Sequence, residues 1–99
     1  MLRYYSHYTF IYPDIYLKNY IIETDGEGHI IKVFPFESEI EKTEFYSGLL
    51  IFLPTTEIYM KKDIYNIISN NDFEKNNIEG ISSCTTYNFY HEEDFILSL

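Results

Sequence analysis

The most constraining feature of this chain is a β-hairpin signal in its first third. Two runs rich in β-branched and aromatic residues flank an Asp-Gly-Glu-Gly turn at residues 25–28. Glycine adopts a positive φ at no steric cost, and tight hairpin turns that match the twist of their strands need this conformation. The pattern therefore predicts an antiparallel pair of strands at about 16–24 and 29–35.

The rest of the chain contains further strand signals separated by proline, glycine and charged residues. Aromatic and β-branched residues predict a first strand at about 3–11. The most apolar run, 45–53, predicts a strand that is buried on both faces and lies in the centre of the sheet. Residues 82–90 and 95–99 predict two more strands, joined by a turn at 91–94.

One amphipathic helix is predicted after the apolar strand. Thr55 and Thr56 are suitable N-caps, and Glu57 is favourable in a first helical turn. Four apolar residues then recur at helical spacing and share one face: Met60, Ile64, Ile67 and Ile68. The sequence therefore predicts an α+β fold, in which a mainly antiparallel sheet of about five or six strands has one amphipathic helix packed on one face.

Length and composition predict a single domain over residues 1–99. A chain of 99 residues that is 45% apolar can bury one modest hydrophobic core. No apolar run approaches the roughly 18 residues that cross a membrane as a helix. The N-terminal residues also lack the apolar segment of a signal peptide. We therefore predict a soluble, cytoplasmic protein.

The charge balance restricts the partners that the chain can have. Sixteen acidic residues against seven basic ones give a net charge of −9. Nucleic acids and anionic membranes are bound mainly through Lys and Arg, so we predict neither as a partner. The single cysteine, Cys84, excludes an intramolecular disulfide and a cysteine-rich metal site.

Histidines and acidic residues are the candidate metal ligands. His7, His29 and His91 show none of the spacings of known metal motifs. The densest group, the His-Glu-Glu-Asp run at 91–94, is contiguous, so its side chains should point apart in a solvated turn. The turn at 25–28 begins like a calcium loop, but His29 occupies the fifth position of that pattern and the glutamate of its twelfth is missing. The sequence predicts no metal site.

Catalytic and cofactor-binding patterns are also lacking in the sequence. No sequence neighbour of Cys84 would lower its pKa or act as its base, so we predict a structural cysteine. The glycines at 26 and 28 match neither a dinucleotide fingerprint nor a phosphate loop. We therefore predict no catalytic residue and no cofactor, and an enzyme that uses Cys84 or a His–carboxylate pair is the least favoured hypothesis.

Two segments of the chain, taken in order, resemble a known family. They are residues 20–33, with their acidic-glycine turn, and the Ser-Gly-Leu-Leu-Ile run at 47–51. Together they resemble the opening of amidohydrolase-family enzymes, where a small β-sandwich leads through a Gly-Leu strand into a metal-binding barrel. Residues 52–56 (Phe-Leu-Pro-Thr-Thr) stand where that family has its Asp-x-His-x-His ligands. The chain is also too short for a barrel of about 250 residues. The resemblance implies the small sheet domain alone, without the catalytic barrel.

Aromatic residues give the main functional signal. The chain has eleven Tyr and eight Phe but no Trp. Tyr combines a large ring with a polar tip, which suits half-exposed sheet faces and interfaces. The leading hypothesis is a small non-catalytic protein-interaction or structural module that self-associates, as a homodimer, through an aromatic sheet face or edge. The alternative is a small-molecule or metal-binding domain with a Tyr-lined pocket, using His91 or the acidic turns.

Overall fold

The computed structural model describes residues 2–12, 14–38, 42–56, 66, 81 and 84–92. These residues form five strands: β1 (Leu2–Ile11), β2 (Ile15–Thr24), β3 (Ile30–Pro35), β4 (Thr43–Pro54) and β5 (Tyr87–Glu92). All five belong to one sheet with the order β3-β2-β1-β4-β5. β1 and β4 run parallel, and the other neighbouring pairs run antiparallel. The described part of the chain is therefore one mixed sheet.

This architecture corrects the predicted fold class. No helix is among the elements of the described residues, so the predicted α+β fold with an amphipathic helix packed on the sheet is wrong. The sheet is mixed, because β1 and β4 run parallel, although three of its four neighbouring pairs are antiparallel. The parallel pair was missed because it joins distant segments and leaves no turn signal in the sequence. Thr55 and Thr56, the predicted N-caps, lie in a turn after β4. The rest of the predicted helix, which includes Met60, Ile64, Ile67 and Ile68 and was expected to end at Asn70 and Asn71, lies outside the described residues, apart from Asn66.

Several strand predictions are confirmed. β2 and β3 pair as the expected hairpin, and β1 occupies the predicted region. β4 is buried on both faces over residues 49–53, but β1 rather than β4 is the middle strand. β5 continues to Glu92 because β4 is long enough to pair with His91 and Glu92, so the predicted turn at 91–94 does not begin at His91. The strand predicted at 95–99 lies outside the described residues.

Alternating side chains divide the apolar residues between the two faces of the sheet. The cluster on one side, which we call the inner face, consists of Tyr4, Ile11, Ile15, Leu17, Ile22, Ile30, Leu50, Phe52 and Tyr87. The cluster on the outer face consists of Phe10, Tyr16, Leu49, Ile51 and Leu53. Both faces of β4 are therefore buried in its second half, which explains the continuous apolar run in its sequence.

An irregularity crosses the middle of the sheet. Asn19 in β2 and Gly48 in β4 both have a positive φ, of 59° and 87°. Asparagine and glycine are the residues that tolerate this conformation best. The register between β1 and β4 shifts just after Ser6, whose hydroxyl donates to the carbonyl of Gly48 at 2.9 Å. As a result Tyr4, before the shift, and Ile11, after it, both reach the inner cluster.

Two diagonally opposite corners of the sheet meet over the inner face. The β2–β3 turn lies level with the start of β1. The start of β5, by contrast, lies level with the end of β1. The N–H of Tyr87 nevertheless donates to the carbonyl of Gly28 at 2.8 Å, and His29 pairs with Thr86 in an antiparallel bridge. The sheet therefore coils on itself, in the sense of its natural twist, and encloses the inner face. We call this contact the hairpin junction.

Thr9 allows a test of the packing around β1. Its side chain is fully buried, and its hydroxyl has no hydrogen-bond partner among the described residues. Removing such a hydroxyl without changing the shape of the side chain should stabilise the fold, so we expect Thr9→Val to raise the free energy of unfolding by about 1 kcal/mol. Urea denaturation followed by circular dichroism measures this change.

Ser6→Ala is the matched control, because the Ser6 hydroxyl is also buried but donates a hydrogen bond. Its loss leaves the Gly48 carbonyl without this donor and should lower stability by about 1 kcal/mol. If both substitutions lowered stability equally, the assignment of Thr9 as an unsatisfied group would be wrong.

Candidate functional site

The outer face carries a layer of aromatic rings on the half of the sheet near the start of β1. Strand register places Phe34, Ile21, Tyr5 and Phe45 side by side on β3, β2, β1 and β4. Ile21 is fully buried in this row, whereas Phe45 is 54% exposed. Two more rings lie next to this row: His7 on β1 and Phe36 just after β3. We call the whole set the outer aromatic surface: Tyr5, His7, Phe34, Phe36 and Phe45.

The rings of the outer aromatic surface hold one another in place. Tyr5 and Phe36 stack at a centroid distance of 4.3 Å and an interplanar angle of 15°. Phe45 meets both Tyr5 and His7 edge-on, each at 5.3 Å. Aromatic pairs in these geometries contribute about 0.5–1.5 kcal/mol beyond the area they bury. These contacts among the described residues therefore support the rings from the side.

Asn19 anchors this surface from the middle of β2. Its positive φ leaves its carbonyl to accept the N–H of Phe36 at 2.9 Å, just after β3 ends. Its side-chain Oδ1 accepts the Tyr5 hydroxyl at 3.3 Å and lies 3.4 Å from Nδ1 of His7. One residue thus ties together the rings that come from β1 and from the end of β3.

Positive charge flanks the outer aromatic surface although the chain is strongly acidic. The adjacent row of the sheet places Lys32, Glu23 and Arg3 side by side. Arg3 and Glu23 form an ion pair at 3.7 Å. Nζ of Lys32 lies 5.4 Å from the centroid of the Phe34 ring, within the range of a cation–π contact. This row alternates in sign and carries one net positive charge.

The second notable group is the hairpin junction. Oδ1 of Asp25 accepts the backbone N–H groups of Glu27 at 2.8 Å and of His29 at 3.1 Å. Oδ2 of Asp25 lies 2.7 Å from Nδ1 of His29, and Nε2 of His29 lies 3.2 Å from Oγ1 of Thr86. The turn that the sequence indicates is thus joined by side chains to the start of β5.

The junction perturbs the ionisation of Asp25. The backbone N–H of Glu27, with a smaller contribution from His29, holds the pKa of the Asp25 carboxyl below its ordinary value of 3.8. A carboxyl whose pKa is lower in the folded state than in the unfolded state stabilises the fold above the unfolded value. This contribution is lost as the pH falls through the folded pKa.

Asp25→Asn tests that dependence. Asparagine can still accept the two backbone N–H groups through its amide oxygen, but it has no charge to lose. We expect wild type to be the more stable protein near neutral pH, and we expect the difference to disappear as the pH falls below 3.8, the ordinary value for the carboxyl. Thermal melting over a pH series measures this, and a difference that persists at the acid end would contradict the assignment.

Aromatic rings of the inner face pack against one another toward the β5 edge. Tyr46 contacts His91 at a centroid distance of 4.9 Å, and Phe89 contacts Tyr4 at the same distance. The Tyr46 hydroxyl donates to Glu44 at 2.8 Å, which raises the pKa of Tyr46 to about 12. These side chains extend the core cluster toward the β5 edge.

The structure places the candidate residues from the sequence on different surfaces. His7 belongs to the outer aromatic surface and His29 to the hairpin junction, whereas His91 lies in β5 and contacts the carbonyl of Ser47 through Nε2. Cys84 is exposed. Glu93 and Asp94 lie outside the described residues, so the acidic run at 91–94 is described only at His91 and Glu92.

Sequence reasoning missed Asn19 and Thr86. An asparagine within a strand pattern is a weak signal for a positive φ. Thr86 had no signal, because its contact with His29 joins residues 57 positions apart.

The chain was compared with protein-family models, curated proteins and solved structures, and none of them matches it. The resemblance of its hairpin and β4 to the small domain of amidohydrolase-family enzymes therefore stays a prediction. In the part of the chain that the structure describes, no helix has the length and apolar character to span a membrane.

Proposed function

We propose that this protein is a non-catalytic interaction module that self-associates through the outer aromatic surface. The observation that supports this most is the set of mutually packed rings around Tyr5 and Phe45, among which the Phe45 side chain is 54% exposed. Exposed aromatic patches of this kind are typical of association sites, where rigid rings lose little entropy on binding. The partner in this proposal is a second copy of the chain.

Charge supports a second copy as the occupant. The Lys32–Glu23–Arg3 row alternates in sign, so two copies related by a two-fold axis and offset by one strand would bring unlike charges together. The chain as a whole is acidic, with a net charge of −9. This net charge opposes association of two copies at long range, so the alternating row and the apolar rings must supply the attraction.

The face of the sheet is a better contact than the β3 edge. β3 has six residues and ends at Pro35, which has no N–H to donate. Lys32 also lies in the middle of that edge strand. Short strands, lysine and proline are the features that prevent edge-to-edge pairing. The proposal includes a cytoplasmic location and no nucleic-acid, membrane or cofactor partner, in line with the acidic composition.

Phe45→Ser tests the proposed interface. Phe45 is the most exposed large apolar side chain of the surface, and its replacement should weaken self-association at least about tenfold, as expected for loss of one aromatic anchor. Size-exclusion chromatography with light scattering over a concentration series measures the dissociation constant. Leu2→Ser is the matched control, since Leu2 is 45% exposed but is not one of these rings.

We expect Leu2→Ser to leave the dissociation constant within about twofold of wild type. Circular dichroism should show that both variants are folded. A wild-type protein that stays monomeric at the highest attainable concentration would overturn the proposal. Equal association by Phe45→Ser and wild type would also overturn it.

A further inference from the structure

We propose that the hairpin turn is a binding site for a divalent transition-metal ion, with Zn²⁺ as the ion that fits best. The ligands are Asp25, Glu27 and His29, whose candidate ligand atoms all lie within 4.8 Å of one another. They alternate with glycines along the turn, so three side chains converge from a five-residue segment. This site is separate from the outer aromatic surface, and it does not depend on self-association.

The chemistry of the donors selects the class of metal. Two carboxylate oxygens and one imidazole nitrogen form a mixed set that suits Zn²⁺, whereas Ca²⁺ and Mg²⁺ prefer oxygen ligands alone. Three protein ligands leave a fourth tetrahedral position for water. His29 is one of the residues that break the calcium-loop pattern, and its imidazole is the ligand that favours Zn²⁺ over Ca²⁺.

A contact from outside the turn orients the imidazole. Nε2 of His29 lies 3.2 Å from Oγ1 of Thr86, which comes from the segment before β5. Metal-binding histidines nearly always bond an oxygen through their other ring nitrogen, because this fixes the tautomer and the direction of the ring. With the proton on Nε2, Thr86 accepts it, and the lone pair of Nδ1 is directed toward the carboxylate of Asp25.

The other two ligands are accessible and well placed. Glu27 is exposed, and its carboxylate has no partner among the described residues. Asp25 is held by two backbone N–H groups through Oδ1, which leaves Oδ2 beside Nδ1 of His29. The backbone bond between Gly28 and Tyr87 ties the turn to β5. Two of the three ligands, Asp25 and His29, are therefore positioned before a metal arrives, which lowers the entropic cost of binding.

The metal would take the place of an existing contact. In the metal-free protein Nδ1 of His29 lies 2.7 Å from Oδ2 of Asp25. Zn²⁺ would lie between these two atoms and accept the lone pair of Nδ1, and the neutral imidazole would carry its hydrogen on Nε2, facing Oγ1 of Thr86.

Isothermal titration of the full-length chain with zinc chloride tests the proposal. Cys84→Ser should be the common background, because an exposed thiol can bind zinc on its own. We expect saturable binding of one Zn²⁺ per chain. Calcium chloride should bind at least about tenfold more weakly, because the site contains an imidazole ligand.

Three variants test where the ion binds. Glu27→Gln should weaken Zn²⁺ binding at least about tenfold, whereas Glu37→Gln, at another exposed acid, should change it less than about twofold. Thr86→Val should also weaken binding about tenfold through misorientation of His29. Absence of saturable zinc binding, equal binding by the two glutamine variants, or equal affinity for calcium would each overturn the proposal.

Discussion

Replacement of Gly28 by alanine should lower the free energy of unfolding by about 3 kcal/mol. Gly28 has a φ of +94°, which costs an L-residue about 1–2 kcal/mol. A Cβ atom at this position would also lie 2.7 Å from the carbonyl oxygen of Tyr87. That oxygen cannot retreat freely, because the N–H of the same residue donates to Gly28. Overpacking of this kind costs about 1–3 kcal/mol more.

Gly26→Ala separates the two contributions. Gly26 lies in the same turn with a φ of +87°, but a Cβ atom added there would meet nothing within 4 Å. We therefore expect a loss of only about 1–2 kcal/mol, from the backbone conformation alone. Urea denaturation of both variants measures the difference. Equal losses would contradict the close approach of the two sheet corners at the hairpin junction.

Phe52→Ala should cause the largest loss of stability, about 4 kcal/mol. Phe52 is 2% exposed and lies in β4, where its ring contacts Tyr4 and Tyr87 at centroid distances of 6.5 Å and Phe89 at 6.1 Å. Truncating a buried Phe to Ala typically costs about 3–5 kcal/mol through lost burial and the cavity that remains. This is a large part of the 5–15 kcal/mol that stabilises a typical domain.

Phe45→Ala is the matched control for this substitution. The two residues share β4, but Phe45 is 54% exposed on the outer face. We expect its truncation to cost no more than about 1 kcal/mol, the scale of its ring contacts with Tyr5 and His7. Denaturation of both variants at a concentration where the protein is monomeric makes the comparison. A similar cost for both would contradict the assignment of Phe52 to the core.

Local patterns in the sequence were sufficient for the hairpin and for the burial of β4. The β2–β3 turn could be predicted because turn glycines and β-branched arms act over a few residues. The apolar run of β4 indicated a strand buried on both faces, since an alternating pattern would have left one face polar. These features depend on neighbours in the chain, which one sequence displays.

Long-range pairing is the part that the sequence could not supply. Nothing in the residues of β1 and β4 specifies that they pair in parallel, so the sequence did not predict the one parallel pair among the described strands. The meeting of Gly28 with Tyr87 likewise depends on how far the whole sheet coils. Such coiling accumulates over several strands and cannot be read from any one of them.

For the candidate sites, too, local composition could be predicted from the sequence, but long-range contacts could not. High Tyr and Phe content predicted an aromatic surface, but not which rings would lie on the outer face and which would join the core. That choice depends on the register shift after Ser6 and on the positive φ of Asn19. Asp25 and Glu27 are exposed in the β2–β3 turn, but the pairing of His29 with Thr86 was not visible from the sequence.

The central claim is that two copies of the chain meet through their outer aromatic surfaces. The most direct test is an isotope-filtered nuclear Overhauser experiment on a mixture of labelled and unlabelled protein, which detects only contacts between copies. We predict intermolecular signals among the rings of Tyr5, Phe36 and Phe45. Absence of intermolecular signals at a concentration where the protein is dimeric by light scattering would contradict the account. So would signals confined to the β5 side of the sheet, at Phe89 and Tyr90.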